Sequence, residues 1–233
     1  MLILSLESSA KPASVAVYDK NEQKHLGQNF QNNGFSHSRT LMSMTEALLK
    51  NLEIKSSEIG QIAVSNGPGS FTGVRIGVSA AKGLAMGLDI PVCGVSTLEA
   101  MAYQIPDYTG ILCPVMDARR NQVYNALFQW KDNTLIRQTE DRAISIDDLI
   151  NELFNYESDI LISGDGTNVF NSYIQEKNID LSYKITSELL RYQTAYGVAI
   201  ASLHKKSGPA AVLEPCYLRP SQAERELSHS SIK

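Results

Sequence analysis

The stretch Asn66-Gly67-Pro68-Gly69-Ser70-Phe71-Thr72-Gly73-Val74-Arg75-Ile76-Gly77 constrains the fold more than any other part of this 233-residue chain. A short apolar run, Ile62 to Val64, leads into it, and a helix-like pattern from Val74 to Leu88 leaves it. Strand, glycine turn and helix in that order aim backbone N–H groups and the positive end of a helix at an anion. The turn lacks the Lys-Ser/Thr of a P-loop, and its spacing differs from the dinucleotide fingerprint. The helix is unusual in its own right. Gly73, Gly77, Gly83 and Gly87 lie in or near it, and each interior glycine costs about 1 kcal/mol relative to alanine. Gly73, Gly77 and Ala80 or Ala81 share one face at helical spacing. Such a face either packs against a sheet inside the molecule or receives a helix from another molecule at short range.

The length allows one large domain or two small ones. No apolar run approaches the roughly 20 residues of a membrane span. The opening Met1-Leu2-Ile3-Leu4-Ser5-Leu6-Glu7 is too short and too poor in basic residues for a signal peptide and reads as a buried strand. A cytoplasmic protein with no membrane association is expected. Cys93, Cys113 and Cys216 are odd in number, widely spaced and set among apolar neighbours, which predicts buried free thiols rather than a metal site or a disulfide framework. The net charge of −4 and pI near 5.6 give bulk electrostatics that do not favour a polyanion as a direct partner.

The first third reads as strands 2–6, 14–18 and 24–30, then a long helix from His37 to about Leu52 capped by Ser36. Leu41, Met44, Leu48 and Leu52 mark one face of that helix, with Met42 and Leu49 on another, an apolar arc wide for a single buried side. Strand 61–65, the glycine turn, helix 74–88, strand 91–95 and a helix capped by Ser96 with Glu99 at its third position follow. The second half predicts strand 111–117, hairpin strands 122–129 and 135–139, a helix 146–153 capped by Ser145, strand 160–163, a helix from about Val169 to Glu176 and a final helix 187–203. The tail after Gly208, with Pro209, Pro215, Pro220 and the polar end Ser228–Lys233, carries no period and is expected to be loop, part of it mobile.

Two successive βββαβα-like blocks with an Xaa-Ser-Ser turn after the first strand resemble the actin, sugar-kinase and Hsp70 superfamily. This implies an α/β fold of the actin-like ATPase (ASKHA, ribonuclease H-like) type with lobes at residues 1–100 and 101–233. The glycine stretch, the opening 2–17, the segment 36–49, Pro114-Val115-Met116-Asp117-Ala118-Arg119-Arg120 and Pro215-Cys216-Tyr217-Leu218-Arg219 narrow the resemblance. They are similar to the bacterial TsaB family of tRNA threonylcarbamoyladenosine biosynthesis proteins, glycoprotease-like and formerly called YeaZ. The resemblance implies a non-catalytic scaffold or activating subunit. Its expected partners are a TsaD-like transferase and a TsaE-like ATPase, with a homodimer when alone. The complex forms N6-threonylcarbamoyladenosine at position 37 of tRNAs reading ANN codons, and tRNA meets this chain only through it. On this reading His37, Leu41, Met44, Leu48, Gly73, Val74, Gly77 and Ala81 form the partner interface.

The residues test that expectation. The relative TsaD holds its metal with a His-x-x-x-His pair on the matching helix. Here His37 stands at the second position and Asn33 at the first, so the pair is broken and His37 reads as a capping or packing residue. Superfamily ATPases carry an aspartate in the first phosphate turn, often followed by Gly and Thr. This chain has Glu7-Ser8-Ser9-Ala10 and lacks the glycines that let a backbone approach phosphate. A weak or vestigial nucleotide site would use Glu7, Ser8, Ser9, Gly67, Gly69 and Asp117, with the Gly164-Asp165-Gly166 turn nearby. No cofactor is expected to be required, and ATP or ADP is expected only in the complex. The alternatives are a small superfamily ATPase or kinase built on Glu7, the 67–73 loop and Asp117, and a glycoprotease-like metallopeptidase. The latter has little support, since no Gly-x-Ser-x-Gly elbow occurs and His25, His37, His204 and His229 have no evident nucleophile partner. Arg75, Arg119 and Arg120 are candidates for tRNA phosphate contacts or ordinary surface arginines.

Overall fold

The computed structural model describes residues 1–34 and 37–219. Ser36, Pro220 and the polar end 228–233 lie outside the described residues. The first sheet has the order β3-β2-β1-β4-β5. It contains β1 (Leu2–Glu7), β2 (Ala13–Asp19), β3 (Lys24–Gln31), β4 (Ile59–Gly67) and β5 (Val92–Ser96). The first three run antiparallel as a meander, and β4 and β5 are parallel to β1. Both faces are covered, which is why β1 is apolar nearly throughout. Leu4 and Leu6 pack under α1 (His37–Asn51) and α2 (Phe71–Leu88), together with Val15, Val17, Ile62 and Val64. Ile3 points the other way, as the two-residue period of a strand requires. There it meets Ala63, Cys93, Val95 and α3 (Thr97–Tyr103).

The second sheet runs β10-β7-β6-β11-β12, with β8 paired to β6 and β9 to β8. Its strands are β6 (Ile111–Asp117), β7 (Gln122–Asn125), β8 (Phe128–Lys131), β9 (Thr134–Arg137), β10 (Arg142–Ser145), β11 (Ile160–Ser163) and β12 (Lys184–Ile185). Helices α4 (Ile146–Leu153) and α5 (Thr167–Lys177) cover it. The actin-like two-lobed α/β expectation is met, and the sequence-predicted caps hold: Ser96 Oγ accepts from the Glu99 amide at 3.2 Å and Ser145 Oγ from the Asp148 amide at 3.1 Å.

Three sequence expectations are corrected. The strand 122–129 breaks at Ala126, because β7 pairs with one part of β6 and β8 with another. The final helix divides into α6 (Glu188–Arg191) and α7 (Ala195–Ser202). Tyr192 is extended there, and Gln104 of the α3 terminus ties the break by bonding the Tyr192 carbonyl at 3.1 Å and the Thr194 hydroxyl. Lastly, the lobes do not divide at residue 100. Helix α7 is apolar all round, as a helix buried on every side must be, and its Ala195, Val198 and Ala201 lie in the core beneath the first sheet. Ser5 Oγ donates to the Ala195 carbonyl at 2.7 Å. The first lobe is therefore built from both ends of the chain. Among the described residues, no helix is long and apolar enough to cross a membrane.

Candidate functional site

The turn after β1 lies on the N-terminus of α2. The Ser70 amide donates to the Ser9 carbonyl at 2.6 Å, and Ser8 Oγ donates to the Gly73 carbonyl at 2.9 Å. A side chain at Gly69 would collide with the Ser9 carbonyl, one at Gly73 with the Ser8 carbonyl, and one at Gly77 would stand 2.6 Å from Ser8 Oγ. The glycines thus exist to let one backbone approach another. The space where the sequence placed an anion is filled by the chain's own Ser8-Ser9 turn. Gly67 (φ 127°) leaves room for the Cys216 carbonyl. Ser8, Ser9, Gly67 and Gly69 are thus brought together in contacts that close the fold.

Glu7 lies beneath that turn, fully buried. Its Oε1 accepts from the Ser9 amide and hydroxyl, each at 2.6 Å. The Ser65 side chain favours the charged form, but neither Ser65 Oγ nor Glu7 Oε2 completes a hydrogen bond of good geometry. Burial dominates and pushes the Glu7 carboxyl above its ordinary value of 4.5, with Asp165 adding to the rise. Asp165 is raised by its own burial and by Asp117, against the 2.9 Å bond from Gln193 Nε2. Asp165 is thus the link between Glu7 and Asp117, which is itself exposed and caps the Arg119 amide at 2.7 Å. Charge repulsion runs from Asp117 through Asp165 to Glu7, each acid raising the next. Among the described residues, no group of three or more His, Cys, Asp or Glu is placed to hold a metal ion.

Glu7 makes stability depend on pH in a defined direction. The proton is held more tightly in the folded chain, so its stabilisation is complete below pH 4.5 and is lost as pH rises through the raised folded value. Glu7→Gln is neutral at every pH. Its melting temperature, followed by calorimetry, should decline less than that of the wild type above pH 4.5, whereas parallel profiles would contradict the assignment.

The predicted partner face is also corrected. Leu41, Met44, Leu48, Val74 and Ala81 are buried in the core of the lone chain. Gly73 and Gly77 face Ser8, and His37 Nε2 bonds the Ala10 carbonyl at 2.7 Å, tying α1 to the β1–β2 turn. All of these but the half-buried His37 are buried within the lone chain. What faces outward is Met42 (44% exposed) and Ala47 on α1, with Gly83, Met86 (71% exposed) and Gly87 on α2. An added Cβ at Gly83 or Gly87 would meet nothing within 4 Å. Of the thiols, Cys93 and Cys113 are buried and pushed up to about 11 and about 12, which disfavours thiolate chemistry, while Cys216 is exposed, contrary to expectation.

The segment from Gly208 to Arg219 is loop, as expected, apart from one helical turn at Ala210–Val212, and it is tied down as a strap. Gly208 and Val92 exchange two bonds of 2.9 Å, and Lys82 Nζ donates to the Leu213 carbonyl at 3.0 Å. Asn66 holds both the Glu214 carbonyl (3.0 Å) and the Cys216 amide (2.6 Å). Arg219 Nη1 then reaches the Ala118 carbonyl in the second lobe at 2.7 Å. The signal for these contacts was the Pro-x-Tyr-Leu-Arg ending, which periodicity does not reveal.

Comparison with known proteins adds an independent line. Residues 32–226 match the family described as "TsaD: tRNA N6-adenosine threonylcarbamoyltransferase". The tRNA threonylcarbamoyladenosine biosynthesis protein TsaB of Bacillus subtilis is 32% identical over 81% of this chain and 82% of its own. The protein of that name from Haemophilus influenzae is 27% identical over 94% of each. YeaZ from Pseudomonas aeruginosa superposes with a TM-score of 0.76 at 23% identity, covering 93% of this chain and 99% of its own. A second Pseudomonas aeruginosa structure, described as similar to peptidase YEAZ, gives 0.78 at 24% identity over 94% and 99%. At these identities the structures speak to the fold.

Proposed function

We propose that this chain, which belongs to the TsaB branch of the TsaD family, serves the formation of N6-threonylcarbamoyladenosine at position 37 of tRNAs reading ANN codons, as a scaffold or activating subunit with no chemistry of its own. The names of the relatives support the pathway. The outward glycines of α2 support the role. Gly83 sits in the middle of an 18-residue helix and Gly87 in its last turn, and neither makes room for anything within the chain. A glycine held at a helical position costs about 1 kcal/mol relative to alanine, and close approach of another backbone from outside explains its retention. A TsaD-like transferase subunit covers this face, a TsaE-like ATPase joins the pair, and a second copy of this chain covers it when the transferase is absent. ATP or ADP used by the assembly is bound by the complex and not by this chain alone. Co-expression with a TsaD-type protein of the same source, followed by size-exclusion chromatography, should give one co-eluting species. Separate elution of two folded proteins would overturn the role.

A further inference from the structure

We propose that the end of the strap, where Arg219 reaches the second lobe, carries a binding surface for a single-stranded RNA segment, formed by Arg75, Arg119, Arg120, Arg219 and Tyr217. The inference rests on the role proposed above, because tRNA is the polyanion that this role brings to the chain.

A chain of contacts runs from Arg75 to the backbone beside Arg119 and Arg120. Arg75 Nε donates to the Tyr217 hydroxyl at 2.7 Å, and its guanidinium lies 3.9 Å from the Phe71 ring centre. Phe71 and Tyr217 stack with centroids 4.7 Å apart. Arg219 follows Tyr217 by two residues, at most about 7 Å along an extended chain. It bonds the carbonyl of Ala118, the neighbour of Arg119 and Arg120. Among the described residues, none of the four arginines has a carboxylate within ion-pair distance. Asp117 accepts from the Arg119 amide at 2.7 Å, and Asp141 is paired to Arg137 at 2.6 Å. On a chain of net charge −4, this concentration of unpaired positive charge is local.

The backbone supplies a second observation. Arg119, Arg120 and Asn121 all adopt left-handed φ values, 64°, 57° and 55°. Asparagine tolerates that region through local side-chain bonds, but arginine has no such relief, and glycine would be the unstrained choice. Both arginines are exposed, so burial in the core does not account for them. Strain of this kind persists where function requires the side chain. Tyr217 remains 40% exposed despite its stack on Phe71. Arginines for phosphates beside an aromatic ring for a base form the recognition chemistry of unpaired RNA. An acidic protein would use the charge but leave the ring without a role.

The test is fluorescence anisotropy of the full chain with a labelled RNA hairpin bearing an open loop, a blunt RNA duplex and poly-glutamate. The hairpin should bind in preference to the other two, with a log–log salt slope of about −2 to −3 for three to four phosphates on a single strand. Arg119→Gly with Arg120→Gly should weaken hairpin binding at least about tenfold while the melting temperature holds or rises, because the backbone strain is relieved. Tyr217→Leu should lose about tenfold on the hairpin and little on the duplex. No hairpin binding at low salt, unchanged binding by the folded double variant, or preference for poly-glutamate would each overturn the inference. Failure here with intact co-elution leaves the subunit role standing, and hairpin binding without co-elution removes that role alone.

Discussion

Gly73→Val should destabilise the chain by at least about 3 kcal/mol, lowering the melting temperature by roughly 6–12 °C for a protein of this size. The added side chain would enter the space of the Ser8 carbonyl, part of a turn fixed on both sides. The Ser70 amide holds Ser9, Ser8 Oγ holds the Gly73 carbonyl, and His37 holds Ala10. A flexible side chain could move aside, but a backbone pinned by these bonds cannot. Displacing it also disturbs buried Glu7, which accepts hydrogen bonds from the Ser9 amide and hydroxyl. Leu48→Asp would act similarly, through an unpaired charge forced into the core. Thermal unfolding followed by circular dichroism is the measurement, and a variant within a degree or two of wild type would show that the turn is not held as described.

Gly83→Arg should leave the lone chain folded and weaken pairing with a TsaD-type partner at least about 100-fold, equivalent to roughly 3 kcal/mol. The position is open in the chain, so the side chain extends into solvent without strain. In a close helix–helix contact the same side chain and its charge must be accommodated where only a hydrogen atom was present. Isothermal titration calorimetry of the two purified proteins reads the effect directly. Pairing of wild-type strength would place the partner elsewhere on the surface.

These two substitutions lie on one helix, and their opposite expected effects mark where the sequence is ambiguous. Helical spacing correctly grouped Gly73, Gly77 and Ala81 on one face, and Leu41, Met44 and Leu48 on another. It carried no information about which side of each face meets the sheet. A small-residue stripe serves a turn of the same chain as well as it serves a foreign helix, and only the position of Ser8 decides between them. The strands with both faces covered were plain, because near-continuous apolar runs such as 2–6 and 111–116 leave little else to form. Caps such as Ser96 and Ser145 were plain because they act within three residues. The break at Tyr192–Thr194 depends on Gln104, about 90 residues away in sequence, and no local pattern reports it. The strap was invisible for the same reason: its partners Asn66, Arg75 and Ala118 are distant, and a proline-punctuated segment has no period to read. Glu7 was visible as an odd residue in the first turn, but its protonation follows from burial, which the sequence alone does not state.

Gly83→Ala tests the account most directly, because one substitution is read in two ways. The lone chain should gain about 0.5–1 kcal/mol, the ordinary benefit of alanine at an open helical position. Binding to the TsaD-type partner, measured by calorimetry on the same preparation, should become weaker. A gain in stability with undiminished pairing would contradict the claim that this outward face of α2 is kept bare for another helix.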